Sequence, residues 1–212
     1  MAFVGLDGAR TEVLGALEAD QPVGVGPTRP AIERYRGVLY QELDAGSLRG
    51  AARRRLHRRV LVVSGLWGLV APADPIPDYK LKMGTRLGSL GRLSTWWRPR
   101  LTEALVSPVR GAVVWDLLPN EHAAALDWDA LAPRNRITVR FVDRRGRAVS
   151  HWNKLLKGSI VRWLAETGVT DPATLGDFRH PRGYRLDTRS SVFADRTTAL
   201  VLREGVRGAP HR

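Results

Sequence analysis

The chain has no cysteine among its 212 residues. Disulfides, thiolate metal sites and cysteine nucleophiles are therefore excluded. No stretch approaches the ~20 apolar residues that a membrane span requires, so no membrane partner is expected. The opening Met1-Ala2-Phe3-Val4-Gly5-Leu6-Asp7 has no charged n-region and meets an acid early, unlike a signal peptide. These absences make the cytoplasm the expected location. Lysine is also scarce: Lys80, Lys82, Lys154 and Lys157 are the only four, and the other 30 of 34 basic residues are arginine. All four fall in two short segments, which hints at work that an ammonium does and a guanidinium does not, because only the former shifts its pKa readily.

Several catalytic signatures are missing too. The five histidines are scattered, with no His-x-x-x-His, so no metal site is expected. There is no Walker A loop, and Ser64 before Gly65 lacks the Gly-x-Ser-x-Gly pattern of a hydrolase elbow. No cofactor is expected.

What is present is charge. The formal net charge is +13 and the sequence pI is near 11.2. An anionic partner follows, nucleic acid first; genomic drift toward arginine is the alternative. With 43% apolar residues and no repeats, the chain can bury a core of its own. Alternating helical and strand patterns predict an α/β domain, a mixed sheet flanked by helices, over residues 1–204 with a frayed tail at 205–212.

Helices are predicted at 8–19, from Pro30 through Ile32, Tyr35, Leu39 and Leu43, from a Ser47 cap through the arginine run, from Ser94 to Leu105, from His151 to Thr167 with Gly168 closing it, and after Asp171-Pro172. Strands are predicted at Val60–Val63, Ala112–Trp115, Ile137–Val142, Tyr184–Leu186 and Thr198–Leu202. Three prolines make 71–79 a rigid loop, and Asp143–Gly146 a turn.

Four segments can carry chemistry. Pro22-Val23-Gly24-Val25-Gly26-Pro27-Thr28-Arg29, between two helices, resembles a helix-hairpin-helix turn within residues 1–43. Gly24 and Gly26 would let the backbone approach a phosphate, with Arg29 adding a charge; an ordinary interhelix loop is the alternative. Arg53 to Arg59 could line a phosphate groove or form a solvated helix face. Tyr79, Lys80, Lys82 and Arg86 could recognise an anion, Lys80 and Lys82 sharing a face if extended, or could guard an edge strand. Finally, His151, Asn153, Lys154 and Lys157 open a helix, where cations oppose the dipole. That calls for an anionic ligand or carboxylates nearby, for which Asp116 and Glu121 are candidates. The tryptophans are expected in the core, with Trp96, Trp97 and Trp152 as alternative cleft walls.

In order along the chain, several segments resemble the YaaA family of peroxide-stress proteins. They are Pro30-Ala31-Ile32-Glu33-Arg34-Tyr35-Arg36-Gly37-Val38-Leu39-Tyr40, Ser64-Gly65-Leu66-Trp67-Gly68 with Asp74-Pro75-Ile76, Tyr79 to Leu87, Trp96-Trp97-Arg98-Pro99, Val114 to Glu121 including Asn120, His151 to Gly158, and Gly183-Tyr184. The resemblance covers about residues 27 to 203. It implies a family-specific α/β fold, a role in hydrogen-peroxide defence through limiting free iron, and DNA binding by a positively charged cleft and a helix-hairpin-helix element. It assigns no firm reaction. Two departures stand out. Nothing matches the family's opening strand and its Ser-Pro-Ala-Lys or Pro-Pro-Ser-Glu-Gly-Lys loop, so the chain is expected to enter after that point. The helical stretch that follows it is shortened.

Two functions therefore remain open, beside the alternative that the shortened start has left a degenerate member. One is a DNA-binding stress protein without sequence preference. The other is an enzyme for a small anionic or nucleobase-like substrate, with Lys80, Lys154 or Lys157 binding or activating it and Asp116 or Glu121 as acid/base partner.

Overall fold

A computed structural model describes residues 1–18 and 26–205, without the side chains of residues 150–152. In chain order the elements are α1 (Asp7–Glu18), β1 (Arg29–Pro30), α2 (Ala31–Arg34), α3 (Val38–Leu43), α4 (Gly50–Arg59), β2 (Val62–Ser64), β3 (Gly68–Val70), β4 (Pro75–Ile76), β5 (Arg86–Leu87), β6 (Gly91–Arg92), α5 (Leu93–Val109), β7 (Val113–Asp116), α6 (Asn120–Ala123), α7 (Trp128–Leu131), β8 (Asn135–Val142), α8 (Ser150–Thr167), β9 (Tyr184–Leu186), β10 (Val192–Phe193) and β11 (Thr197–Glu204). The class is α/β. The chain forms two compact units, each assembled from separate stretches. The first comprises Met1–Tyr35, Arg53–Gly111 and Leu118–Pro133, and the second Arg36–Ala52, Ala112–Leu117 and Arg134–Arg212.

In the first unit the β2–β3 hairpin is buried along its whole length. Its carbonyls are met by a buried arginine: Arg10 donates to the backbone oxygens of Trp67 (3.1 Å) and Leu69 (2.8 Å), and pairs with Asp7 at 2.7 Å. An arginine this deep persists because its donors are matched. Gly68 has φ +68° and no room for a side chain, since a Cβ there would lie 2.7 Å from the Trp97 ring. Trp97 is fully buried on α5 and donates its indole N–H to the Gly65 carbonyl at 2.9 Å. It is thus a core residue and not a cleft wall. Trp96 is half-buried, with Arg100 stacked 3.8 Å over its ring.

The second unit is built on a mixed sheet of order β10-β11-β8-β7, with β9 also pairing β11. The strands β7, β8 and β11 run parallel, and β9 and β10 are antiparallel to β11. The parallel β8–β11 pair needs a long crossover, and the 18-residue α8 lies within it. Ile137, Val139 and Phe141 of β8 and Leu200 and Leu202 of β11 share one sheet face and pack with Leu156 and Ile160 of α8. Each such buried side chain stabilises by about 1.5–3 kcal/mol. Helix α3 lies against α8 so closely that a Cβ at Gly158 would collide with the Leu39 carbonyl.

Four local expectations are corrected. The helix expected from Pro30 through Leu43 is two short ones, because Tyr35 is extended (φ −73°, ψ 123°) and Gly37 follows; glycine costs about 1 kcal/mol in a helix. Ser47 does not cap the arginine helix: its hydroxyl donates to the Asp44 carbonyl, and the helix starts at Gly50. Helix α5 does not stop at Leu105 but continues to Val109, holding Pro99 and Pro108 within it. Residues 80–82 form no strand, so neither a shared strand face for Lys80 and Lys82 nor a guarded edge exists there.

Candidate functional site

The sequence-predicted residues divide between the units. Gly26, Arg29, Tyr79, Lys80, Lys82, Arg86, Asn120 and Glu121 belong to the first; Asp116, His151, Asn153, Lys154 and Lys157 to the second.

In the first unit a chain of hydroxyls starts from the buried hairpin. The Trp67 N–H donates to Ser64 Oγ at 2.9 Å, Ser64 Oγ lies 2.7 Å from Tyr79 Oη, and Tyr79 Oη lies 2.8 Å from Tyr35 Oη. The Tyr79 ring meets both Trp67 and Tyr35 edge-on at 6.3 Å. Burial pushes the Tyr35 phenol above its ordinary value, while hydrogen bonds with Ser64 and Tyr79 act against it. Each hydroxyl in such a chain can both donate and accept a hydrogen bond. Ser64 and Tyr35 were not expected in a site. Tyr35 reads as a helical core residue, and only the break after Arg34 turns its ring to Tyr79.

The strand-free loop that follows exposes Lys80 and Lys82 and is anchored by fully buried Met83. It leads into the β5–β6 hairpin, where Arg86 and Arg92, both exposed, are directly paired across the strands. Like charges so placed repel. The Glu121 carboxylate lies over the turn, 2.7 Å from where a Gly84 Cβ would stand. Asn120 is exposed at the start of α6.

Of the hairpin-like segment, Gly24 lies outside the described residues. Gly26 is exposed, and Arg29 is exposed on β1 opposite Ile76. The helix beyond them has only four residues. On α4, Arg53, Arg54, Arg58 and Arg59 are exposed, the helix has no acidic residue, and Leu56 is buried.

In the second unit Asp116 ends β7 and is 6% exposed. Arg136 holds its Oδ2 from Nε (3.0 Å) and Nη2 (2.6 Å). Lys157, half-buried on α8, is held below the usual lysine range by burial, with Asp116 pulling the other way. Asn153 is one turn earlier on the same stripe, its Oδ1 buried. Lys154 is exposed, so the predicted row of cations splits, Lys157 turning inward and Lys154 outward. The side chain of His151 lies outside the described residues. Arg136 was not anticipated, because its partner is set by the β7–β8 register, which places Val114 opposite Arg136 and Asp116 opposite Thr138. Elsewhere, buried His180 bonds Glu42 through Nε2 at 3.2 Å and accepts the Arg182 N–H at Nδ1, 3.1 Å. A shallow depression lined by Arg98, Thr102, Val106 and Asp127 contains none of the predicted residues.

Fold and sites together define a basic α/β protein that displays cations at loops and buries a few polar clusters. Residues 9–190 match the family described as peroxide stress protein YaaA. A UPF0246 protein of Streptomyces coelicolor is 40% identical over 175 residues, covering 81% of this chain and 67% of that protein. One from Corynebacterium glutamicum is 35% identical over 156 residues (70% and 59%), and one from Laribacter hongkongensis 32% over 184 residues (83% and 70%). The chain thus spans between 59% and 70% of the length of these relatives. It belongs to the YaaA family. No helix among the described residues is long and apolar enough to cross a membrane.

Proposed function

We propose that this chain is a cytoplasmic DNA-binding protein of the peroxide response, gripping phosphates without reading sequence and so helping to limit iron-dependent damage. The observation that carries this is the display of cations: Arg86 directly opposite Arg92, the exposed Lys80 and Lys82 in the loop before them, and the exposed Arg53, Arg54 and Arg58 on α4. Such pairs cost stability in the unliganded protein and are compensated when a polyanion lies across them. The family description, peroxide stress protein, supports the cellular role. Titrating labelled duplex DNA with the full chain at two salt concentrations tests the binding. Affinity should fall by orders of magnitude between about 50 and about 200 mM salt if six or more phosphates are contacted. Affinity indifferent to salt would overturn the proposal.

A second function is favoured by Lys157. A lysine lowered by burial beside a carboxylate is a candidate acid/base group for a small anionic substrate. Following the Lys157 ammonium by NMR while adding inorganic phosphate tests it. A change in its titration that vanishes in Asp116→Asn supports a small-ligand site, and an unchanged titration removes it.

A further inference from the structure

Positive charge is distributed unevenly. Nineteen of the 34 basic residues and ten of the 21 acidic ones belong to the second unit, a net +9 against +4 in the first. At one end of its sheet the arginines are also held in a fixed frame. The Asp143 carboxylate accepts the backbone N–H groups of Arg145 (2.8 Å) and Arg147 (2.9 Å) through Oδ1, and Arg147 Nε through Oδ2 at 2.9 Å. The Asp143 N–H bonds the Arg147 carbonyl at 2.9 Å, closing the turn. These bonds, first that from the Arg147 amide, hold the Asp143 carboxyl below its usual range. Arg203 donates to the Arg144 carbonyl at 3.3 Å and to Asp187 Oδ2 at 2.8 Å. Arg144 and Arg145 are thereby presented to solvent on a backbone that is already ordered.

The adjoining strands continue the pattern. Arg185 of β9 is directly opposite Arg203 of β11. Arg140 of β8 is opposite Val201, which places it on that same sheet face. Arg140 and Arg185 are both exposed. Six arginines (140, 144, 145, 147, 185 and 203) share this end with three acids: Asp143, engaged by Arg147, Asp187, engaged by Arg203, and Glu204, next to Arg203 on β11. Asp187 compensates the Arg203 guanidinium, so what this strand pair offers a polyanion is the exposed Arg185 opposite it. A fixed frame also spares part of the ordering cost of a phosphate contact.

We propose that this end of the second unit, with Arg140, Arg144, Arg145 and Arg185 as its contacts, is a phosphate-gripping surface for the backbone of duplex DNA. The proposal rests on the DNA-binding function above and locates a contact surface that function does not specify. It is an interaction surface and performs no chemistry.

The test uses the full chain, a labelled duplex, and affinities measured across salt for the parent, for Arg144→Gln/Arg145→Gln and for Arg185→Gln. Each lost phosphate contact should reduce the slope of log affinity against log salt by about one, so the double variant should lose about two and the single about one. Arg185→Gln should also melt no lower than the parent, because it removes a repelling partner of Arg203. A merely structural arginine would lower the melting temperature and leave the slope unchanged. If the parent binds DNA steeply with salt and both variants keep its slope, this surface is refuted while the DNA-binding function stands. If the parent does not bind DNA at all, both fall. Equal competition of heparin with the parent and the double variant would likewise place polyanion binding elsewhere.

Discussion

At the level of single residues, the hydroxyl chain Ser64–Tyr79–Tyr35 depends on its middle member. Tyr79→Phe keeps the ring contacts with Trp67 and Tyr35 but removes one hydrogen bond from Ser64 Oγ, which retains the Trp67 N–H, and one from the Tyr35 phenol, which retains Ser64. A hydrogen bond contributes about 0.5–1.5 kcal/mol net, so the loss of two should lower stability by about 1–3 kcal/mol in urea unfolding; a loss below a few tenths would mean that the hydroxyls are individually solvated. Lys157 makes a prediction of opposite character. Its pKa is lowered in the folded chain, so the unfolded chain binds more protons between that lowered value and the ordinary lysine value near 10.4. Stability attributable to Lys157 therefore rises with pH across that window. Relative to Lys157→Met, the parent should gain stability as pH climbs from neutral toward about 10. Parallel pH profiles for the two proteins would show that the ammonium is not desolvated.

Among the elements, α8 was the most legible. His151 to Thr167 was bounded within one residue, with Gly168 in the left-handed cap at φ 76°, because long amphipathic stripes and glycine stops are local signals. The strands β7, β8, β9 and β11 were legible for the same reason. Hidden were features that depend on distant partners: the break at Tyr35, where tertiary hydrogen bonding overrides a helical stripe, and the Asp116–Arg136 pair, which exists only once β7 and β8 are in register. Of the candidate residues, the sequence could suggest Lys157 beside Asp116 but not that Lys154 points away. Gly158 belongs to the same lesson. In the sequence it is a helix-weakening residue, yet the packed chain needs it against the Leu39 carbonyl of α3. Gly158→Ala should improve intrinsic helix propensity by about 1 kcal/mol and still destabilise by about 1–3 kcal/mol through overpacking. A melting temperature equal to or above that of the parent would show that α3 and α8 can separate without cost.

For the whole molecule, a formal charge of +13 sets two salt effects against each other. Without a ligand, like charges repel one another and weaken the compact state, so added salt should raise the melting temperature by screening. With duplex DNA present, salt also releases the bound polyanion. Free DNA at a hundredfold excess over its dissociation constant stabilises by about 2.7 kcal/mol, and each kcal/mol moves the midpoint of a chain this size by about 2–4 °C. Melting curves with and without DNA should therefore be well separated at low salt and converge as salt rises, the DNA-free curve climbing and the DNA-bound one falling toward it. Arg144→Gln/Arg145→Gln should bring the two curves together at lower salt while shifting the DNA-free curve little, since these side chains are exposed. Curves that remain equally separated at all salt concentrations would point to a partner held by something other than charge. The excess of arginine would then reflect drift in composition and not function.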